Sequence, residues 1–239
     1  MWYTEQMAIR KIPFVKGEYY HIYNRGNSKQ RIFLDDSDYK HFQKLLYICN
    51  SKINFKFRDN IVSLKINAFD FERDERIVSI GAWVLMPNHF HLYIIINPHM
   101  SDMWVGSNKY KNAISEFIRK LLTAYVKYFN TKYNRTGSLF EGPFKSVHIE
   151  KDNQARYLFS YIHLNPIKLI QKNWKIEGIK DIQQSLVFLN KYKYSSYLDY
   201  KKFSRLENKI LNLEDFPNYF SNTKNFDSEI IEWLKYQEK

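Results

Sequence analysis

Apolar and polar positions alternate from Glu18 to Tyr23, and the alternation breaks at Asn24-Arg25-Gly26-Asn27. That spacing predicts a first strand followed by a polar loop. From Asp36, the residues Tyr39, Phe42, Leu45, Leu46 and Cys49 recur at helical intervals behind Asp and Ser capping residues, so a helix is expected over 36–50. Two β-branched, apolar runs, 77–85 and 89–96, flank Met86-Pro87-Asn88, where Pro-Asn favours a tight reversal and predicts a hairpin at the centre of a sheet. Ile114, Phe117, Leu121, Tyr125 and Tyr128 mark the longest helix, over 110–133. A turn-rich link (137–143), a short strand (144–149) and a helix from Asp152 through Tyr161, stopping near Asn165-Pro166, complete the pattern.

The order β-α-β-β-α-β-α predicts an α+β fold. It comprises a ferredoxin-like β-α-β-β-α-β core with a central antiparallel sheet, one added helix and a C-terminal extension. In this arrangement the strand bearing His89 is interior, and the helices 36–50 and 110–133 pack on one face. Residues 53–72 alternate loosely through Val62, Leu64, Ile66 and Ala68, which predicts an inserted hairpin or extended excursion. Beyond Ile167 the pattern is less regular, with Trp174, Tyr192, Tyr194, Tyr197 and Tyr200 ahead of a terminal helix over 227–237.

Composition sharpens this picture. Of 239 residues, 44% are hydrophobic and 18% aromatic, which is ample for a packed interior and excludes a disordered chain. Lys and Arg outnumber Asp and Glu by 37 to 25, and the formal charge of +12 favours a polyanionic partner, nucleic acid first among them. A generally basic, AT-rich genome accounts for part of the same excess. The lone Cys49 excludes a disulfide framework and a thiolate zinc cluster. The start MWYTEQMAIRKIPF lacks the apolar core of a signal peptide, and no stretch is long enough to span a membrane, so a cytoplasmic protein is expected.

His89 and His91 stand two apart on a predicted strand, so both imidazoles project from one face and can share a divalent ion. Alone, such a pair is a weak signal. Tyr161 and Asn165, four apart on the last core helix, put a phenol and an amide oxygen on one helical face. Tyr157, a turn earlier, is a rival nucleophile or a packing aromatic. Arg25, Asn27, Lys29 and Arg31 form a basic cluster suited to phosphates and base edges, with Lys145 and Arg156 as further contacts, although solvated loop charge explains them equally well.

The strings YYHIYNRGNSKQRIF, WVLMPNHFHLYI, GSLFEGPFKSV and YLFSYIHLNPIK, in that order, resemble the REP-associated tyrosine transposases and the wider single-tyrosine HUH transposase superfamily, IS200-like. The match runs through roughly residues 17–170. It implies a transposase domain over 14–170, with the insertion at 53–72, and an aromatic and helical extension over 171–239. Position by position, the resemblance makes His89 and His91 the metal-binding histidines, Phe90 the bulky residue between them, Tyr161 the nucleophile and Asn165 the polar third ligand. Pro143 departs from the pattern, since an arginine is common after the EG of this family's GSLFEG string.

The implied activity is cleavage and rejoining of single-stranded DNA beside hairpins, with Mg2+ or Mn2+, through a 5′-phosphotyrosine and a free 3′-hydroxyl. His163 and His148 are candidate acceptors for the phenol proton, though a packed or surface histidine is the commoner case. Three rivals stand beside this reading: a domesticated hairpin-DNA-binding protein without mobility, a single-stranded nucleic-acid-binding module, and a metal nuclease using water. Monomer and homodimer are both compatible with the sequence.

Overall fold

The computed structural model describes residues 13–100, 113–217 and 223–235. Four strands, β1 (Tyr19–Arg25), β2 (Val78–Met86), β3 (His89–Ile96) and β4 (Lys145–Ile149), form one sheet in the order β2-β3-β1-β4, with every pairing antiparallel. This is the ferredoxin-like order, and β3 is interior as expected. Helices α1 (Asp36–Ile48) and α2 (Ala113–Lys132) cover one face, where Phe42, Leu45, Phe117 and Tyr125 pack on Ile22, Phe90 and Leu92. The predicted residues 110–112 of the longest helix lie outside the described residues.

Helix α3 (Asp152–Leu164) covers the opposite face, where Leu158, Phe159 and Ile162 meet Ala82, Val84 and Tyr93. The sheet is therefore the middle of three layers. Being covered on both sides explains why β2 is buried at every position instead of alternating.

The segment 53–72 forms no hairpin. It folds into a π-helical turn (Arg58–Val62) and a 3-10 turn (Ala68–Asp70), with Ile61 and Ala68 closing a small core against Ile48. The loose alternation supplied too few inward-facing apolar residues for two paired strands. The C-terminal extension packs on the core: Ser195 bridges Val84 at the outer edge of β2, Leu85 N donates to Tyr194 O (2.8 Å), and Ser196 N donates to Trp83 O (2.9 Å). Helices α4 (Ile182–Lys191) and α5 (Thr223–Lys235) complete it, α5 beginning four residues before the expected start and contributing Phe226 and Ile230 to the α3-side core. Among the described residues, no helix is long and apolar enough to cross a membrane.

At the start of α1, Asp35 and Asp38 form a capping box, and the fully buried Asp38 carboxylate accepts from Leu34 N (2.7 Å), Tyr133 Oη (2.8 Å) and Lys132 Nζ (2.7 Å). Lys132 is the cation that balances this buried charge and ties α2 to α1. Removing one partner of such a pair strands the other, so Lys132→Met is expected to cost about 3 kcal/mol in urea unfolding. An unchanged midpoint would show that the neutral donors suffice.

Candidate functional site

The two-residue period of β3 directs Phe90 and Leu92 into the α1–α2 core and turns His89, His91 and Tyr93 toward α3. The rings of His89 and His91 lie 5.0 Å apart between centroids. Helix α3 crosses this face and brings the Tyr161 ring within 5.3 Å of His91. One turn on, Asn165 is fully buried. A proline disfavours helical geometry at the residue before it, yet Asn165, ahead of Pro166, keeps φ −52° and ψ −38°, and its N–H donates to Tyr161 O. A 3-10 turn, Asn165–Leu169, starts there, and its first turn accommodates the proline because no N–H is needed at that point. The spacing of Tyr161 and Asn165 is therefore a true helical turn.

Hydrogen bonding sets the ring tautomers. His89 Nδ1 lies 2.6 Å from Asn88 Oδ1, which can only accept, so Nδ1 carries the proton and Nε2 keeps its lone pair. His91 Nδ1 lies 2.8 Å from His21 Nε2, while His91 Nε2 is buried without a hydrogen-bond partner. The Asn165 amide is close enough to raise the proton affinity of His89 and lower that of Tyr161, yet neither amide atom completes a well-formed hydrogen bond. Unsatisfied polar atoms in a buried place cost stability, and His91 Nε2 and the Asn165 amide are among those of this protein.

Burial dominates the electrostatics. It holds His21 and His89 at about 4, with the Lys168 charge adding to the effect at His89, and pushes His91 well below the usual imidazole range, aided by His21 and His89. All three rings are thus neutral at neutral pH, the form in which an imidazole can ligate. The Tyr161 phenol is raised by burial, against the opposing pull of Asn165. Two cations face its ring, Lys175 Nζ at 4.1 Å and Lys168 Nζ at 5.6 Å from the centroid. The Lys168 ammonium is itself lowered by burial and by Lys175.

The donor set fits a divalent metal. A neutral His89, an orphaned His91 Nε2 and an unsatisfied Asn165 amide are what a cation would complete, and each histidine is oriented through its other nitrogen. Among the described residues no three His, Cys, Asp or Glu side chains converge as a metal cage; the Asn165 amide oxygen beside His89 is a further donor that could complete one.

The other expected residues are placed as follows. Arg25 forms a forked pair with Glu141, which raises the arginine and lowers the carboxyl, so its charge is matched by protein. Asn27 and Lys29 are exposed on a 3-10 turn, and Arg31 is exposed beyond it. This loop is latched to the hairpin turn next to His89: Gly26 N donates to Asn88 O (2.8 Å) and Ile32 N to Pro87 O (2.8 Å). A Cβ on Gly26 would stand 2.2 Å from Gln30 O, so the latch requires glycine. Lys145 is exposed on β4, and Arg156 lies 3.9 Å from Glu229.

Neither candidate proton acceptor is suited to the task. His163 is fully buried, its Nδ1 hydrogen-bonded to Phe159 O (2.9 Å) and its Nε2 2.8 Å from Ser196 Oγ, and His148 is held between Glu18 and Glu150. Sequence reasoning missed His21, Lys168 and Lys175. Lys168 follows Tyr161 by seven residues, two helical turns, and was findable on that ground. His21 is on the β1 face opposite Tyr20 and Ile22, but only the strand order brings it to His91. Lys175 arrives on a short helical turn, Trp174–Glu177, that carried no signal.

No protein-family model and no curated protein matches the chain. Its structure is similar to that of a REP-associated tyrosine transposase bound to a REP hairpin, at 15% identity, over 84% of this chain and 90% of that one, with a TM-score of 0.47. It is also similar to a crystal structure of a Deinococcus radiodurans R1 protein provisionally described as a transposase, at 13% identity, over 63% of this chain and 93% of that one, with a TM-score of 0.32.

Proposed function

We propose that the chain is a DNA strand transferase of the transposase type, cutting single-stranded DNA beside hairpins with Tyr161 as nucleophile. The observation that carries this reading is the meeting of a partly buried tyrosine, two neutral histidines and a buried amide on one face of the sheet. A bound cation would complete the atoms left open here, His91 Nε2 and the Asn165 amide oxygen.

His89, His91 and Asn165 would hold the divalent ion, Mg2+ or Mn2+. When bound, it supplies positive charge to the scissile phosphate. The Tyr161 oxygen attacks phosphorus, a Tyr O–P bond forms, and the P–O bond to the 3′ oxygen breaks. The phenol proton leaves, the departing 3′ oxygen gains one, and the products are a 5′-phosphotyrosine and a 3′-hydroxyl. Attack by a 3′-hydroxyl reverses these changes and rejoins the strand without an external energy source. Lys168 and Lys175, facing the ring, favour the developing phenolate and the approaching phosphate.

The test is incubation of labelled single-stranded DNA from beside the gene with the protein and manganese, followed by a denaturing gel. A protein–DNA adduct that disappears with EDTA is expected. Cleavage without an adduct would point to a hydrolytic nuclease.

His21 acts through His91. With His91 Nε2 kept for a metal, His91 Nδ1 carries the proton and donates to His21 Nε2. His21→Phe keeps the ring and removes the acceptor, so manganese affinity, read by calorimetry, is expected to fall roughly 10–100-fold with little change in thermal midpoint. Unchanged affinity would reduce His21 to a packing residue.

A further inference from the structure

A cavity of about 440 Å³ opens between β4 and α3, beside Tyr161. Its volume falls within the span of small-ligand sites, about 300–1,000 Å³. Val147 and Ile149 from β4 and Leu158 from α3 supply an apolar floor, and Tyr157 and Tyr161 supply aromatic faces. The two tyrosine rings are parallel within 3°, with centroids 6.3 Å apart. Such a surface is unusual to leave open: Val147 is 47% exposed and Tyr157 40% exposed. At the rim stand the amides of Asn153 and Gln154 and the ammonium of Lys175, which bonds Tyr157 Oη at 2.9 Å while facing the Tyr161 ring. Gln154 spends its oxygen on the backbone N–H groups of Glu150 and Lys151, which leaves its NH2 as a donor at the rim.

We infer that this cavity is a nucleobase subsite, which takes the base of the nucleotide adjoining the cleaved phosphate while Lys175 faces that nucleotide's backbone. The inference rests on the proposed reaction, because Tyr161 is at once a wall of the cavity and the attacking group. A base offers a flat apolar face to Tyr157 and polar edges to Asn153 and Gln154, the pairing by which single strands are gripped. An aliphatic or acidic ligand would use only half of these groups. Because Tyr161 forms one wall, the base that enters must belong to a nucleotide next to the reacting phosphate. Occupancy would draw that phosphate toward the hydroxyl and lend the cut a base preference.

The test uses Tyr161→Phe protein, which binds without cutting, and single-stranded oligonucleotides covering the DNA beside the gene. Each position in turn carries an abasic site. One position next to the cut is expected to lose roughly tenfold in affinity when its base is removed. Adding Val147→Trp, which fills the cavity from its exposed side, should weaken intact DNA by a similar factor and abolish the abasic penalty. Tyr157→Leu, from the other wall, should do the same and guards against a local effect of the tryptophan. Equal penalties with and without the filled cavity, or no sensitive position, overturn the subsite. The wild-type adduct assay runs in parallel. An adduct with no sensitive position removes the subsite and leaves the reaction, sensitivity coupled to the cavity without an adduct removes the reaction and leaves a base-binding pocket, and absence of binding removes both.

Discussion

Tyr161→Phe is expected to abolish the covalent protein–DNA adduct, a loss of at least a thousandfold, while leaving folding and DNA binding nearly intact. Only the hydroxyl is removed, and the ring that packs against His91 at 5.3 Å is retained. The magnitude follows from eliminating the nucleophile itself, which no neighbouring group replaces at the same distance. Tyr157 is the group that could compete, and its hydroxyl is tied to Lys175 at 2.9 Å. Tyr157→Phe should therefore keep the adduct. An adduct surviving in Tyr161→Phe and lost in Tyr157→Phe would move the nucleophile by one turn.

Asn165→Leu is expected to separate stability from metal binding. The amide is buried and neither of its atoms completes a hydrogen bond, so the folded protein bears a desolvation cost that an apolar side chain of similar shape avoids. Without metal, the variant should unfold about 1–2 kcal/mol later in urea than the natural protein. With manganese, its affinity should fall at least tenfold, because one protein ligand is gone. A residue serving the fold would show the reverse sign in urea, and that result would sink its assignment as a ligand.

Much of this architecture was legible in the sequence because two periods dominate it. The period of two on 89–96 sends His89 and His91 one way and Phe90 the other, and the helical repeats of 36–50 and 113–132 specify the layer that receives Phe90. The spacing of Tyr161 and Asn165 likewise needed only helix geometry. What was not legible depends on contacts between distant segments. His21 meets His91 because β1 is inserted beside β3, a matter of strand order. Lys175 reaches Tyr161 through an irregular turn. The role of His163 was hidden because a histidine lodged against Ser196 has the same local sequence as one facing solvent. The segment 53–72 misled because alternation there was present without enough inward apolar residues to sustain it.

The seam between β2 and the segment 194–196 also sets an order of events in the life of the chain. Ser196 receives the Trp83 N–H at 3.0 Å and stands 2.8 Å from His163, two residues beyond Tyr161 on the same helix. Phe226 then caps that histidine ring at 5.4 Å. On the ribosome, the sheet and its α1–α2 layer can close while this later stretch is still being made, but the helix bearing Tyr161, though seated on the sheet, lacks its outer packing until the stretch emerges. The outer cover of the Tyr161 helix is thus the last part of this layer to be made, and a prematurely ended chain lacks it.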